Sequence, residues 1–185
     1  MWLEPPALRF GHQGRHELRP LNNMFPVELN VSSLRARSAE SLYQAAKFTG
    51  QPEVQLAIAS LSGWEAKQEA RALRPVKEDE WMQVQRRVML TVLLIKMRHS
   101  PDMRQALKSS SGRPLVEASR SDHYWGAVLS GDRLVGTNML GRMLMFVRDT
   151  TTDLSSWVER EARVIWPWCA PATDQAETYT HADGA

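Results

Sequence analysis

The chain has 185 residues and a mass of 21.0 kDa, with 43% hydrophobic and 24% charged side chains. That is the length of one domain and the composition of a folded one, so a largely disordered chain is excluded. One cysteine, Cys169, excludes an internal disulfide framework and a multi-cysteine zinc site, and a net charge of +2 is far weaker than the footprint of a dedicated DNA binder.

Short extended signals come first. Residues 7–10 read as a strand before Gly11, and residues 25–29 and 33–35 read as a hairpin around Asn30. Helices then dominate. Ser38 can cap a helix running to about Phe48, with Gly50 as its stop, and Pro52 opens another through Val54, Leu56 and Ile58. Residues 64–73 form a third, between Gly63 and Pro75. The strongest helix runs from Glu78 to His99. Trp81, Val84, Val88, Val92 and Ile95 make one apolar stripe, with acids in the first turn and bases in the last, as the helix dipole favours. Pro101 opens a shorter helix to Leu107, residues 115–118 read as a short strand, and helices over 138–149 and 153–166 close the domain. The expected fold class is α+β: a compact, mostly helical single domain with a few short strands.

The domain is expected to span residues 1–168. Residues 169–185 read as a flexible acidic tail, because they are polar and show no apolar period. Residues 1–150 carry 21 basic and 15 acidic side chains, and residues 151–185 carry 2 and 6. A mildly basic body suits an anionic ligand. The longest apolar run, residues 88–95, is too short to span a bilayer, and the first residues lack the pattern of a signal peptide, so a cytoplasmic protein is the expectation.

Several motifs fail. Gly131 and Gly136 have phosphate-loop spacing, but Thr137-Asn138 stands where Lys-Ser/Thr belongs. No nucleophile elbow and no His-Glu-x-x-His occurs. His12 and His16 sit among Gly11, Gly14 and Pro20, where a metal-binding helix is not expected. No metal or redox cofactor is expected.

Two constellations remain. On a helix, Glu40, Tyr43, Gln44 and Lys47 fall at i, i+3, i+4 and i+7, one polar stripe opposite Leu42, Ala45 and Ala46. The pattern alone favours a solvated face with an ion pair over a site. Residues 116–126 pack two acids, an arginine and two aromatics behind a strand end. Such a loop either presents ligand contacts or anchors Tyr124 and Trp125 in the core while Asp122 caps a turn.

Taken together, the segments resemble the NADAR family, which includes YbiA-like proteins. The family's Ser-x-Glu-His-x-Tyr-Gln-Ala-x-Lys-Phe pattern stands here as residues 38–48. Its Ser-Asn-Phe segment is similar to residues 22–26, and its Trp and Val-Met helix to residues 81–89. Its Leu-Val-Glu and Asp-x-Tyr-Trp-Gly segment is similar to residues 115–126, and its closing Asn-x-Leu-Gly helix to residues 138–148. The matches run in order over about residues 8–150. Ser41 stands where the family carries histidine, and Leu42 replaces an aromatic.

The resemblance implies an N-glycosidase that cleaves a ribosyl C–N bond. Removal of ADP-ribose from guanine in DNA or RNA ranks first. A phosphorylated riboflavin-synthesis intermediate ranks second, and a non-catalytic ADP-ribose-binding module is the third reading. The implied catalytic residues are Glu40, Lys47 and Asp122: carboxylates against oxocarbenium charge, or a lysine nucleophile giving a Schiff base. Trp125 and Tyr124 would stack on the base, Tyr43 and Gln44 would orient ribose hydroxyls, Asn23 and Asn138 would bind phosphate or ribose, and Trp81 would wall the pocket. No membrane partner is implied.

Overall fold

The computed structural model describes residues 7–73 and 78–169. β1 (Leu8–Gly11) buries Leu8 and Phe10 and exposes Arg9, the alternation of a half-buried strand. A 3₁₀ turn, His16–Leu21, leads to the hairpin of β2 (Pro26–Val31) and β3 (Leu34–Ser38). Its turn lies at Ser32 and Ser33, not around Asn30, which pairs with Arg35 inside the ladder. The pleat explains the shift: Leu29, Val31, Leu34 and Ala36 all face the core, and a turn at Asn30 would break that register.

α1 (Ala39–Ala45) starts at Ser38 through a capping box. Ser38 Oγ accepts the Ser41 N–H at 3.0 Å, and the Ser38 N–H donates to Ser41 Oγ at 3.0 Å. Ser41 is therefore spent on the cap. α1 stops a turn earlier than expected, and the Lys47 and Phe48 N–H groups donate three residues back, to Gln44 and Ala45, in a tighter turn. Every residue of α1 is buried, because α2 (Pro52–Ala59), α3 (Gly63–Leu73) and the long α4 (Glu78–His99) all pack against it.

From Thr91 to Lys96 every residue of α4 is buried, so its second half is surrounded rather than laid on one stripe. α5 (Pro101–Ser109) follows, with Ser100 Oγ accepting the Met103 N–H. β4 (Leu115–Ser119) then joins β1 in parallel and becomes the centre of a sheet ordered β1-β4-β5-β6. β5 (Ala127–Ser130) and β6 (Arg133–Val135) form a tight hairpin across Gly131 and Asp132, with Gly131 at φ +61°. Sequence reading took that glycine as part of a failed phosphate loop and read no hairpin there.

α6 (Met139–Asp149) and α7 (Ser155–Ile165) close the fold. Trp166 is fully buried, and Cys169 is buried as well. Residues 170–185 of the expected tail lie outside the described residues. Among the described residues no helix is long and apolar enough to cross a membrane.

Candidate active site

The site is assembled where the C-terminal end of β4 meets α1. β4 and β5 are parallel yet joined by only residues 120–126, whereas such strands ordinarily need a crossover of about a dozen residues or more. The link is held by hydrogen bonds along much of its backbone. Asp122 Oδ1 accepts the N–H groups of Tyr124 at 2.9 Å and Trp125 at 2.8 Å, and Ser119 Oγ accepts the Asp122 N–H at 3.0 Å. The carbonyls of His123, Tyr124, Trp125 and Gly126 accept the N–H groups of residues 137–140, at the entry to α6. The loop thus satisfies donors that a helix start leaves open. Gly126 permits the fold, since a Cβ there would lie 2.7 Å from the Glu117 carbonyl.

Asn138 locks the strand beneath. It is buried and holds left-handed backbone at φ 52° and ψ 44°. Its Nδ2 donates to the Leu115 carbonyl at 2.8 Å, and its Oδ1 accepts the Glu117 N–H at 3.0 Å. β5 pairs only with Ala118 and Ser119, so Asn138 takes the backbone groups that β5 leaves open.

These elements surround a cavity of about 340 Å³. Its lining brings together Asn23, Glu40, Tyr43, Gln44, Lys47, Trp81, Asp122 and Trp125 from four separate segments of the chain. The polar stripe of α1 is therefore a buried cavity wall, with Glu40, Tyr43 and Gln44 each at most 8% exposed. Gln44 Nε2 donates to Glu40 Oε1 at 2.8 Å. Lys47 Nζ lies 5.4 Å from the Tyr43 ring centre and 5.5 Å from that of Trp81. Trp81, Tyr43, Trp125 and Tyr124 form an edge-to-face chain with centroids 5.1–5.8 Å apart.

Two expected residues are placed elsewhere. Asn138 does not line the cavity, because its amide is committed to β4. Tyr124 lies behind Trp125, with ring centroids 5.1 Å apart, and does not line the cavity either. Sequence reasoning passed over Glu117, Lys67 and Gln85, which do. Glu117 sat inside the matched Leu-Val-Glu segment without a role. Gln85 was visible as a polar residue four positions beyond Trp81, on the inward face of a helix. Lys67, exposed on α3, carried no sequence signal.

The electrostatics follow from burial. Three acids, Glu40, Glu117 and Asp122, and two lysines, Lys47 and Lys67, share the cavity. Burial holds the Lys47 amine below the ordinary lysine range; the Glu40 charge opposes this and Lys67 adds to it. Burial, then the Asp122 and Glu40 charges, pushes the Glu117 carboxyl up to about 8, against the pull of Lys67. Burial and Glu40 likewise raise the Tyr43 phenol, which stays protonated. Asn23 Nδ2 donates to Met89 Sδ at 3.2 Å, while its buried Oδ1 has no partner among the described residues. No group of three His, Cys, Asp or Glu residues among those described is placed to hold a metal ion.

The fold is thus a mostly helical α+β domain with an acid- and lysine-lined cavity beside an aromatic wall. The NADAR domain model matches residues 10–151, and the chain belongs to that family. An N-glycosidase of Nostoc punctiforme is 30% identical over 140 residues, which cover 73% of this chain and 86% of that protein. The chloroplastic riboflavin biosynthesis protein PYRR of Arabidopsis thaliana is 39% identical over 78 residues, and that of Zea mays 29% identical over 121. These matches span only 12% and 19% of the two plant proteins. The NMR structure of the Escherichia coli protein YbiA superposes with a TM-score of 0.60 at 26% identity, covering 70% of this chain and 76% of that one.

Proposed function

We propose that this protein is an N-glycosidase that cleaves the bond between a ribosyl anomeric carbon and a base nitrogen in a phosphate-bearing substrate. The observation that carries the reading is one cavity holding a lysine of lowered basicity beside three acids. Lowered basicity leaves more of the Lys47 amine neutral and so able to attack as a nucleophile. Its amine attacks the anomeric carbon and the base departs with the bonding pair. Opening of the sugar ring then gives an iminium, which water hydrolyses to free lysine and sugar. Glu40 and Asp122 stabilise the positive charge that develops on the sugar. Trp125 and Trp81 face the planar base, and the Asn23 Oδ1, without a partner among the described residues, and the Gln44 amide meet ribose hydroxyls.

The cavity volume of about 340 Å³ lies at the small end of ordinary ligand sites, roughly 300–1,000 Å³. That volume, and relatives named for riboflavin biosynthesis, favour a phosphorylated ribosyl-aminopyrimidine of the riboflavin route. The second reading is ADP-ribosylated guanine in DNA or RNA, with ribose and guanine in the cavity and the diphosphate outside. It is supported by the exposed Lys67 among the lining residues and by the net +6 of residues 1–150.

The test offers both substrates to wild type and to Lys47→Ala. Sugar release from the riboflavin intermediate supports the first reading, and free ADP-ribose from a guanine-modified oligonucleotide supports the second. Tight binding without release from either substrate would make the domain a binding module and overturn the proposal.

A further inference from the structure

Glycosidic cleavage needs a proton for the leaving nitrogen, and the two acids expected from sequence are already engaged. Asp122 Oδ1 accepts two backbone N–H groups, and Glu40 Oε1 accepts the Gln44 amide. Both therefore suit a role as anions facing the sugar. Glu117 differs. It lines the same cavity, yet its Oε2 is buried without a hydrogen-bond partner among the described residues. Its backbone is fixed on two sides, by pairing with Phe10 of β1 and by the Asn138 amide.

Resting on the N-glycosidase reading, we propose that Glu117 is the general acid of this site: it enters the cycle protonated and hands its proton to the departing base.

The atoms balance. The bond from the anomeric carbon to nitrogen breaks with its electron pair on nitrogen. Nitrogen takes the Glu117 proton, and Glu117 is left as a carboxylate. The water that later hydrolyses the sugar–lysine iminium returns a proton to Glu117, so no further reactant is required. The charged groups around Glu117 suit this assignment. Asp122 on the loop and Glu40 on α1 disfavour its anion, Lys67 on α3 favours it, and Lys47 completes the charged lining. β1 presents Gly11, where a Cβ would sit 3.3 Å from Glu117 Cγ, and α6 presents the neutral Asn138. With two anions near and one opposing lysine at the solvent edge, a buried carboxyl retains its proton at neutral pH, and burial and charge place its midpoint at about 8.

The experiment compares wild type with Glu117→Gln, which keeps the shape and cannot transfer a proton. Two ribosyl phosphates are offered, one with the poorly leaving natural base and one with a nitrophenolate, which departs unprotonated. For the natural base the variant is expected to be slower by about a hundredfold or more. For the nitrophenyl compound it should be within a few-fold of wild type, and the alkaline fall of the wild-type rate near pH 8 should vanish. Difference infrared spectroscopy should show a protonated-carboxyl band that titrates in wild type and is missing from the variant. Equal losses on both substrates, or no such band at neutral pH, would overturn the assignment of Glu117 while leaving the N-glycosidase reading standing. A wild-type protein inactive on both compounds would overturn the two together. Thermal melting of Glu117→Gln confirms that folded protein is compared.

Discussion

Asn138 holds Glu117 by the backbone: its side-chain oxygen accepts the Glu117 N–H at 3.0 Å while its amide donates to Leu115 at 2.8 Å, so one side chain on the helix entry sets the height of the strand beneath. Asn138→Ala leaves two buried backbone groups without partners and is expected to cost about 2–4 kcal/mol. Asn138→Gly should recover part of this, since glycine adopts the left-handed backbone freely, yet it should stay as inactive as alanine because Glu117 is no longer held. Thermal unfolding and turnover, measured on both variants, check the two halves separately.

Asp122 combines a loop-building oxygen with a charge, and two substitutions separate them. Asp122→Asn keeps an acceptor for the Tyr124 and Trp125 N–H groups and should melt within about 1 kcal/mol of wild type while losing most activity. Asp122→Ala removes the acceptor and should cost roughly 1–3 kcal/mol as the loop loosens. An active Asp122→Asn protein would show that the charge is dispensable.

Lys47 is expected to become covalently attached to substrate. Borohydride added during turnover should reduce the iminium and leave a stable sugar adduct on the peptide containing Lys47. Lys47→Arg keeps the cation near Tyr43 and Trp81 but should give neither adduct nor product. Because burial lowers the basicity of this amine, the wild-type rate should climb with pH on the acid side of its optimum, and in Glu117→Gln, which lacks the alkaline fall, the climb should run on to a midpoint below the ordinary lysine value. An adduct elsewhere, or an active Lys47→Arg, would remove the nucleophile.

Lys96 is fully buried and donates to the Asn22 carbonyl at 2.7 Å, beside the Asn23 wall of the cavity. Burial pushes its amine down to about 7, whereas the unfolded chain holds its proton to about 10.4. Between those values the unfolded state binds more protons, so this group makes stability rise with pH from about 7 to 10. Lys96→Met should flatten that rise in denaturant titrations across this range. Glu117 acts in the opposite sense: its raised midpoint makes stability fall as pH climbs from about 4.5 towards about 8. Glu117→Gln should abolish that fall, and parallel curves for variant and wild type would refute either assignment.

Local sequence signals were sufficient for most of the helices. Ser38, Pro52 and Pro101 mark starts through interactions a few residues long, and capping chemistry is readable at that range. The β5–β6 hairpin was legible in principle from Gly131-Asp132, but each of its strands is too short for alternation to show. The α1 stripe could not be resolved from sequence. Helical spacing puts Glu40, Tyr43, Gln44 and Lys47 on one face, and nothing local says whether water or another helix covers it.

The sequence by itself determined the family and the grouping of Glu40 to Lys47, because motif order and helical periodicity are properties of nearby residues. Only the tertiary structure decided which polar groups are sealed from water. Desolvation depends on the atoms that surround a group, and those come from distant parts of the chain. Hence Glu117, a plain strand residue in sequence, lines the cavity with Lys67 of α3, Glu40 of α1 and Asp122, its Oε2 without a partner among the described residues. Asn138, read from sequence as a ligand contact, has its side chain on the backbone of that strand.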